Sequence, residues 1–356
     1  MSKLQKARAP RVDAAPNSAF APRVVRWQGS HGRSELPWQN TRDPYRVWLS
    51  EVMLQQTQVS TVLGYFDRFL SRFPAVADLA AAHEDEVLGL WSGLGYYSRA
   101  RNMHRCAQEV VARFGGEFPR SAVQLETLPG IGRSTAAAIA SFCFGERVAI
   151  LDGNVKRVLA RWLGFEGDLA SGASERALWD LATQLLPAGE EDMPAYTQGL
   201  MDLGATVCTP RKPTCLLCPV ASDCRGKAFG EQERFPIRTR KLRRTSQSIW
   251  MLVARDDEGR IWLEKRPGSG IWAGLYCLPC FDDREALVAA LPAHRGTDLH
   301  DTAAFVHVLT HKDLHLHPVN WFAPQGATLS PVGGWFEKDA WPGLGLPAPV
   351  RKLLSG

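Results

Sequence analysis

The sequence has no apolar run of membrane-spanning length: its longest candidate, residues 136–144, is far shorter than the 18 or more residues required. The first residues carry scattered basic side chains but no apolar core of a secretory signal. With 31 glycines and 23 prolines in 356 residues, the composition excludes a fibrous or wholly disordered chain. No internal repeat is visible. We therefore expect a soluble, cytoplasmic protein of two or three globular domains that does not associate with a membrane.

Net charge is also low, at +5, but the basic residues are unevenly placed. Residues 225–245 hold eight lysines and arginines against two glutamates, and residues 1–23 hold five against one aspartate. A basic segment between two nearly neutral regions suits a polyanionic partner such as nucleic acid. On charge alone, a solvated linker explains the segment equally well.

Hydrophobic periodicity separates a helical part of the chain from a later part with strands. Residues 1–23 show almost no periodicity, and we expect a flexible tail there. The pattern is helical from about residue 36 to 203, and Asp43-Pro44 supplies an N-cap and a first-turn proline for one helix. Helical patterns also cover residues 84–112, 133–144, 153–163 and 174–186.

Beyond the basic segment, the hydrophobic pattern becomes that of short strands. Residues 248–255 and 260–265 are strand-like and flank a turn at 256–259, which predicts a hairpin. Residues 306–316 and 319–322 have a similar pattern. We therefore predict a flexible tail at 1–23, a helical domain at 24–224, a basic linker at 225–245 and an α+β domain at 246–356.

Four of the eight cysteines form the most specific motif in the chain. Their pattern is Cys208-x6-Cys215-x2-Cys218-x5-Cys224. A reducing cytoplasm would not preserve disulfides, so the spacing points to a metal centre. Four thiolates within 17 residues suit either zinc or an iron–sulfur cluster, and the spacing does not choose between them.

The other four cysteines lack such a pattern. Cys277 and Cys280 are separated by two residues, but no second pair lies nearby, so we expect ordinary core or surface cysteines. Cys106 and Cys143 lie in apolar helical contexts and are expected to be packing residues. The loop 208–224 is therefore the metal-binding candidate.

A glycine-containing turn precedes an alanine-rich helix. Residues 128–135 read Leu-Pro-Gly-Ile-Gly-Arg-Ser-Thr, with Gly130 and Gly132 one residue apart. These glycines permit a tight turn, and the free N–H groups of the next helix can bind a phosphate without reading base sequence. An ordinary connection between two helices is an equally good explanation of the turn alone.

Two carboxylates are candidates for acid and base chemistry. Glu51 shares a helical face with Trp48 and Gln55, and on a partly apolar face a carboxyl loses solvation and gains a raised pKa. A raised pKa suits a proton donor. Asp152 lies between an apolar run and a new helix, where a simple N-cap is the more common role for an isolated aspartate.

Together these residues resemble the endonuclease III, or helix-hairpin-helix, superfamily of base-excision DNA glycosylases, and within it the MutY-type adenine glycosylases. The resemblance covers about residues 30–350 and is most specific in the N-terminal two thirds. The stretches that carry it are Leu36-Pro37-Trp38, Ser50-Glu51-Val52-Met53-Leu54-Gln55-Gln56-Thr57, Gly93-Leu94-Gly95-Tyr96-Tyr97, residues 128–135, Leu151–Arg157 and the four-cysteine loop.

The resemblance implies a mainly α fold with a two-lobed helical body and a DNA cleft between the lobes. It also implies a 4Fe–4S cluster on Cys208, Cys215, Cys218 and Cys224. The implied partner is double-stranded DNA with adenine opposite 8-oxoguanine or guanine. A monomeric bacterial protein of the cytoplasm, associated with the nucleoid through DNA, is expected.

The family mechanism, carried over by resemblance, begins with flipping of adenine out of the duplex at a cost of a few kcal/mol. The glutamate at position 51 then protonates the purine and later activates water. Asp152 stabilises the sugar cation, and Asn154 orients water and sugar beside it. Two carboxylates that flank a breaking glycosidic bond follow the logic of glycoside hydrolysis.

The resemblance also implies a set of DNA contacts. Gln198 corresponds to the residue that contacts the adenine edge, and Gln56 and Tyr96 correspond to residues that wedge into the base stack. The full set of expected substrate and DNA contacts is Trp38, Leu54, Gln56, Tyr96, Gly130, Gly132, Ser134, Gln198, Thr310 and His311.

One position distinguishes family members that have lyase activity from those that do not. Family members with lyase activity have a lysine directly after Gly-x-Gly-Arg, where it forms a Schiff base with the sugar. Here that position is Ser134. We therefore expect release of the base without strand cleavage.

The C-terminal domain resembles MutT-like (Nudix) folds through residues 266–276. Only Asp282, Asp283 and Glu285 follow, so the acidic helix with which such hydrolases bind magnesium is missing, and a binding domain that recognises 8-oxoguanine is implied. The family's Phe-Ser-His recognition loop corresponds to Leu309-Thr310-His311, where Thr310 keeps the hydroxyl and Leu309 lacks the ring.

Two alternatives stay open at this point. The first is an endonuclease III-like glycosylase/lyase for oxidised pyrimidines, against which Ser134 and the MutT-like domain argue. The second is a catalytically silent lesion binder that uses only the cluster and the hairpin, against which the presence of both Glu51 and Asp152 argues. The sequence therefore favours a monofunctional adenine glycosylase.

Overall fold

A computed structural model of the protein describes residues 19–239, 243–291, 299–324 and 326–355. The chain divides into two compact units, and each is assembled from two separate stretches. The first unit comprises Met1–Val52 and Ala112–Lys241, and the second comprises Met53–Val111 and Leu242–Gly356. The sequence-based boundaries at residues 224 and 246 instead divide the chain into consecutive domains, and they stay a prediction.

Helices dominate the chain up to residue 228, and two further helices of the described ranges lie beyond it. In chain order they are α1 Phe20–His31, α2 Pro44–Leu54, α3 Val59–Arg72, α4 Val76–Ala81, α5 Glu84–Leu90, α6 Ser98–Phe114, α7 Ala122–Leu125, α8 Arg133–Phe144, α9 Gly153–Leu163, α10 Gly172–Gln184, α11 Met193–Asp202, α12 Arg225–Ala228, α13 Arg284–Ala289 and α14 Ala348–Leu354. One turn of π-helix, Leu203–Val207, continues α11. Within the described ranges, no helix combines the length and apolar character needed to cross a bilayer.

Local sequence signals explain where several helices begin and end. Asp43 caps α2 as predicted, because its Oδ1 accepts a hydrogen bond from the Tyr45 N–H at 2.9 Å. Gly145 and Gly164 end α8 and α9 in the left-handed conformation, with φ of 71° and 58°. The predicted helix over 84–112 is two helices, because the glycine-containing loop at 93–97 separates α5 from α6.

Helix α1 corrects the predicted N-terminal tail. Residues 20–23 are helical and Ala19 is the N-cap, whereas residues 1–18 of the predicted tail lie outside the described part of the chain. Phe20, Val24 and Trp27 recur at helical spacing and are buried in the core of the first unit. The hydrophobic pattern that anchors α1 therefore begins earlier than the prediction placed it.

The second unit contains a mixed eight-stranded sheet among its described residues. Its strands are β1 Thr245–Arg255, β2 Ile261–Lys265, β3 Tyr276–Cys277, β4 Cys280–Phe281, β5 Leu299–Asp301, β6 Phe305–Val308, β7 Lys312–Phe322 and β8 Gly333–Phe336. The long strands β1 and β7 pair in parallel from Thr245↔Lys312 to Arg255↔Phe322. The remaining pairings are antiparallel, and β1 and β2 form the predicted hairpin.

The predicted strand over 306–316 is wrong as a single strand. It is interrupted at residues 309–311, where the chain turns back so that β6 pairs with β7. The turn is closed by a hydrogen bond from the Leu309 N–H to the Lys312 carbonyl at 2.8 Å. The turn contains neither glycine nor proline and therefore has no local signal in the sequence. It places Thr310 and His311 at an exposed hairpin tip.

Candidate active site

Glu51 lies in the last turns of α2, beside the buried residues Trp48 and Val52. Its side chain is half-buried. Burial, reinforced by the negative charge of Asp152, raises the pKa of Glu51 from 4.5 to about 8. At neutral pH this carboxyl therefore holds a proton that it can donate.

Asp152 is the N-cap of α9 and also the charged neighbour of Glu51. Its Oδ1 accepts a hydrogen bond from the Val155 N–H at 2.7 Å. Burial raises the pKa of Asp152, whereas hydrogen bonds from the N–H groups of Val155 and Asn154 and the positive charge of Arg157 oppose that rise. The capping role that the sequence favoured is confirmed. In addition, the negative charge of Asp152 raises the pKa of Glu51.

Asn154 is held by a hydrogen-bond network that reaches the cysteine loop. Its Oδ1 accepts from Nη2 of Arg157 at 2.8 Å, and the same nitrogen donates to the Gly204 carbonyl at 2.7 Å. Nε of Arg157 donates to the Cys208 carbonyl at 2.8 Å. A Cβ at position 204 would lie 2.6 Å from the Asn154 Cβ, so the close approach of the π-helical turn to α9 requires glycine there.

The four cysteines Cys208, Cys215, Cys218 and Cys224 line one common cavity in the first unit. Two N–H donors approach their sulfurs: Nη1 of Arg161 lies 3.4 Å from Sγ of Cys208, and Nε2 of Gln232 lies 3.7 Å from Sγ of Cys215. In the described ranges, no three histidine, cysteine, aspartate or glutamate side chains converge on the position of a single ion. All four predicted ligands nevertheless line the same cavity.

The cysteine loop is held by a buried arginine and carries two basic side chains that are exposed to solvent. Arg161 is buried and donates to the carbonyls of Thr209 at 2.7 Å and Pro210 at 2.9 Å. Beyond these carbonyls, Arg211 and Lys212 are exposed to solvent. An anchored loop that presents two cations can approach a polyanion at low entropic cost.

The glycine turn and α8 form the predicted hairpin with α7. Gly130 has a φ of 76°, and Gly132 precedes α8 in an extended conformation. Ser134, in the first turn of α8, accepts a hydrogen bond through Oγ from the Leu151 N–H at 3.1 Å. This bond ties the hairpin to the residue that precedes Asp152.

The predicted adenine contact Gln198 and the predicted substrate or DNA contact Trp38 lie in the first unit. Trp38 is buried. Gln198, on α11, donates through Nε2 to Oδ1 of Asp202 at 2.9 Å, and the buried Asp202 carboxylate also accepts from Nε of Arg33 at 2.7 Å. Arg33 and Asp202 therefore fix the position of Gln198, a function that the sequence analysis missed.

Gln56 and Tyr96 lie in the second unit, on two loops with unusual backbone conformations. Gln56 follows the end of α2 at Leu54 and has a φ of 58°, and Tyr96 has a φ of 48°. Non-glycine residues rarely adopt these conformations, which cluster at functional sites. Both side chains are exposed, with 46% of Tyr96 accessible.

Arg99 joins these two loops. Only 8% exposed, it donates through Nη1 to the carbonyls of Met53 at 2.9 Å and Gln55 at 2.7 Å. Through Nη2 it donates to the carbonyls of Leu94 and Gly95, each at 3.3 Å. Nη2 also donates to Oγ1 of Thr57 at 3.1 Å. One buried guanidinium therefore fixes the residues on either side of Gln56 and the residue before Tyr96.

The hairpin tip lies beside the same loops. Oη of Tyr96 and Oγ1 of Thr310 are 2.9 Å apart and share a hydrogen bond. Both residues line a cavity of about 940 Å³ within the second unit, together with Gln56, His311, His307 and Trp272. The structure thus brings together four of the predicted contacts and adds two aromatic side chains that the sequence analysis did not single out.

The arginines of both sites were missed at the sequence level. A contact between Arg157 and Asn154 could have been predicted, because the two residues are three apart in a helix, the spacing at which helical side chains meet. The contacts of Arg99 could not have been predicted, since its partners are main-chain carbonyls that only the folded chain brings together.

Comparison with known proteins identifies the family. Residues 49–184 match the family model of the HhH-GPD superfamily base excision DNA repair proteins, and residues 249–356 match that of the NUDIX domain. An adenine DNA glycosylase of Buchnera aphidicola subsp. Acyrthosiphon pisum is 35% identical over 341 residues, which cover 94% of this chain and 97% of the relative. The chain belongs to the adenine DNA glycosylase family.

Further relatives agree with this assignment. The adenine DNA glycosylase of Homo sapiens is 34% identical over 411 residues, covering 96% of this chain and 74% of the human protein. The solved structure of a thermostable thymine-DNA glycosylase superposes with a TM-score of 0.53 at 30% identity, covering 59% of this chain and 96% of that one. These matches confirm the predicted fold class, a helical glycosylase body with a C-terminal Nudix-like domain.

The enzyme class follows from the family. The protein hydrolyses the N-glycosyl bond of adenine in DNA, a reaction of base excision repair. This confirms the predicted enzyme and argues against both a silent lesion binder and an enzyme for oxidised pyrimidines.

Proposed function

We propose that this glycosylase removes adenine that lies opposite 8-oxoguanine or guanine, with Glu51 as the proton donor and Asp152 as the countercharge. The observation that carries the proposal is a protonated carboxyl group beside a second carboxyl group: burial and the charge of Asp152 raise the pKa of Glu51 to about 8. Glycosidic bond cleavage uses such a pair, with one carboxylic acid and one carboxylate.

The reaction proceeds in three stages. Adenine is first flipped out of the duplex, because its reacting atoms are inaccessible in the base stack. Glu51 then donates its proton to a ring nitrogen of the purine, the bond between base and sugar breaks, and adenine leaves as a neutral molecule. Asp152 stabilises the positive charge that remains on the sugar. The Glu51 carboxylate finally takes a proton from water as the water oxygen bonds to the sugar carbon.

Asn154 orients the water and sugar in this proposal. The support is its fixed side chain: Arg157 holds the amide oxygen, and the close approach of Gly204 restricts the backbone. An amide that is already ordered loses little entropy when it positions a reactant. Gln198 would contact the flipped adenine and Trp38 would be a substrate or DNA contact, and the hydrogen bonds that the Asp202 carboxylate accepts from Gln198 and Arg33 support a preformed position of Gln198.

The four cysteines hold a 4Fe–4S cluster in this proposal. Four sulfurs around one cavity, with N–H donors from Arg161 and Gln232, suit a thiolate-bound cluster. Such a cluster supplies redox capacity and makes the loop that binds it rigid. Hydrolysis of the glycosidic bond needs only the rigid loop. The loop would present Arg211 and Lys212 to DNA phosphates. The N–H groups beside Gly130, Gly132 and Ser134 would also bind phosphates.

Metal analysis tests the cluster assignment. Purified protein should be yellow-brown with about four irons per chain. Stoichiometric zinc in a colourless protein would contradict the assignment.

Recognition of the oxidised partner base is proposed for the second unit. Gln56, Tyr96, Thr310 and His311 line one cavity there, and Leu54 precedes the loop that carries Gln56. 8-Oxoguanine differs from guanine at its imidazole edge, where it has an added carbonyl and an N–H in place of a lone pair. A threonine hydroxyl can both donate and accept, so Thr310 can match that edge.

The test is base release from four duplexes, with adenine opposite 8-oxoguanine, guanine, cytosine or thymine. We expect release opposite the first two only, and strand breaks only after alkali, since Ser134 offers no amine. Glu51→Gln should abolish release but retain binding, whereas Glu126→Gln, at an exposed glutamate of the same unit, should change neither. Equal release from all four duplexes, or strand breaks without alkali, would contradict the proposal.

A further inference from the structure

The sheet of the second unit contains two cysteines that the proposed glycosylase chemistry does not use. Cys277 ends β3 and Cys280 begins β4, with only Leu278 and Pro279 between them. Both are free thiols, and their Sγ atoms lie 3.7 Å apart. The sequence predicted ordinary core or surface cysteines, but the folded chain brings the two thiols together.

The two thiols differ in access. Cys277 is fully buried in the core formed by the sheet. Cys280 is half-buried and lines a cavity of about 240 Å³ together with Glu264, Phe281 and Ser330. A small polar oxidant can therefore reach Cys280 through the cavity, while Cys277 is accessible only to its neighbour.

The backbone holds both cysteines in place. Cys277 pairs with Glu264 of β2, and Cys280 pairs with Met251 of β1. A disulfide has an S–S distance of about 2.05 Å, so the sulfurs must approach each other by roughly 1.6 Å. Rotation of the two side chains about χ1 moves the sulfurs on this scale, and the strands need not separate.

We propose that Cys277 and Cys280 form a peroxide-responsive dithiol that cycles between two thiols and an intramolecular disulfide. Cys280 is the thiol that reacts first, and Cys277 is the thiol that closes the disulfide. The proposal does not depend on the glycosylase roles proposed above, because none of those residues takes part.

The chemistry balances as a two-electron oxidation. The Cys280 sulfur attacks one oxygen of hydrogen peroxide, the O–O bond breaks, and a sulfenic acid and one water form once the thiol proton has been transferred. The Cys277 sulfur then attacks the Cys280 sulfur, the S–O bond breaks, and the Cys277 proton leaves with the hydroxyl as a second water. The two thiols lose two electrons in total, and the peroxide gains them.

The surrounding charges support this order of reaction. The hydrogen bond from Cys277 lowers the pKa of Cys280, and the Arg266 guanidinium acts in the same direction against burial and Glu264. Burial raises the pKa of Cys277. Because the thiolate is the nucleophile, Cys280 is the more reactive of the two.

The test uses the full-length protein and peptide mapping. A tryptic fragment of residues 266–284 contains Cys277 and Cys280 and no other cysteine. After graded treatment with hydrogen peroxide and alkylation, we expect this fragment to lose both alkylation sites and two hydrogens in mass. It should do so at least tenfold faster than Cys106 and Cys143 are oxidised, and dithiothreitol should restore both sites. Cys143 is a suitable internal control, because burial raises its pKa to about 12.

Two variants assign the roles of the thiols. In Cys277→Ala, Cys280 should stop at the sulfenic acid, which dimedone traps on the same fragment. In Cys280→Ala, Cys277 should stay reduced at the same peroxide concentration. If the wild-type fragment keeps both alkylation sites while Cys106 and Cys143 are oxidised, or if Cys277 reacts alone in Cys280→Ala, the proposed dithiol is wrong.

Discussion

Arg157 donates a hydrogen bond from Nη2 to Oδ1 of Asn154 at 2.8 Å, and through Nε it also holds the carbonyl of Cys208. One guanidinium therefore connects the segment proposed for catalysis with the first residue of the cysteine loop. A lysine cannot reproduce this arrangement, since it has one nitrogen where arginine has a planar fork.

Arg157→Lys is therefore expected to slow adenine release about 10- to 100-fold, because a hydrogen bond to a charged group contributes about 1.5–3 kcal/mol. Single-turnover kinetics at saturating enzyme measure the effect, and iron content should fall little. Arg176→Lys, at an exposed position of α10, is the matched control. Full activity of Arg157→Lys would show that Asn154 needs no such support.

Glu51→Gln tests the raised pKa of Glu51 through stability as well as activity. The folded state keeps the Glu51 proton up to about pH 8, whereas the unfolded chain releases it above 4.5. Between these values the native state binds more protons, so the free energy of unfolding falls as the pH rises, by up to about 1.4 kcal/mol per pH unit from this group. The variant should lack that decline and be more stable than the wild type at pH 8.

Urea unfolding of both proteins from pH 5 to 9 measures this difference. Base release by the wild type should fall as the pH rises through about 8, since the proton donor is then lost. Parallel stability profiles of the two proteins would contradict a protonated Glu51.

Asp152→Asn separates the capping role of this residue from its charge. Asparagine is also a good N-cap, so the free energy of unfolding should change by less than about 1 kcal/mol. Adenine release should nevertheless be almost abolished, because a neutral amide cannot stabilise a sugar cation. Thermal unfolding and base release on the same preparation give both values. A fully active Asp152→Asn protein would leave Asp152 with the capping role alone.

Arg99→Lys should disorder the loops that carry Gln56 and Tyr96. The substitution leaves buried carbonyl groups without a partner, at a cost of about 1–3 kcal/mol each. We expect a lower melting temperature and at least tenfold weaker binding to a duplex with adenine opposite 8-oxoguanine. Fluorescence anisotropy measures the binding, and Arg105→Lys, exposed on the same helix, should behave like the wild type.

The hydrogen bond between Tyr96 and Thr310 can be tested with a double-mutant cycle. Tyr96→Phe and Thr310→Val each remove one hydroxyl, and their effects on the free energy of unfolding should be coupled by about 0.5–1.5 kcal/mol. Thr310→Val should also reduce the preference for 8-oxoguanine over guanine by about 2- to 12-fold in kcat/KM. Additive effects on stability together with an unchanged preference would remove Thr310 from recognition.

The sequence predicted the elements whose signals are local. The Asp43 cap, the β1–β2 hairpin and the four-cysteine loop each depend on residues that are neighbours in the chain. The turn at Thr310 was missed because it has no glycine or proline, and α1 was missed although Phe20 and Val24 already show helical spacing. The raised pKa of Glu51 was predicted from its partly apolar helical face, whereas the contribution of Asp152, which is distant in the sequence, needed the folded chain.

The division of the chain into interleaved units has a consequence for how the protein is made. Each unit consists of two separate stretches of the chain. During synthesis, the ribosome therefore makes part of the other unit before it makes the second stretch of either unit. Helices α3 to α5 emerge long before the sheet strands with which they share a unit, and Arg351, close to the end of the chain, still donates to Oγ of Ser92 at 2.9 Å. Contacts of such long sequence separation slow folding. Loss of α14 would therefore remove a contact of a segment that was synthesised much earlier, the loop that carries Ser92.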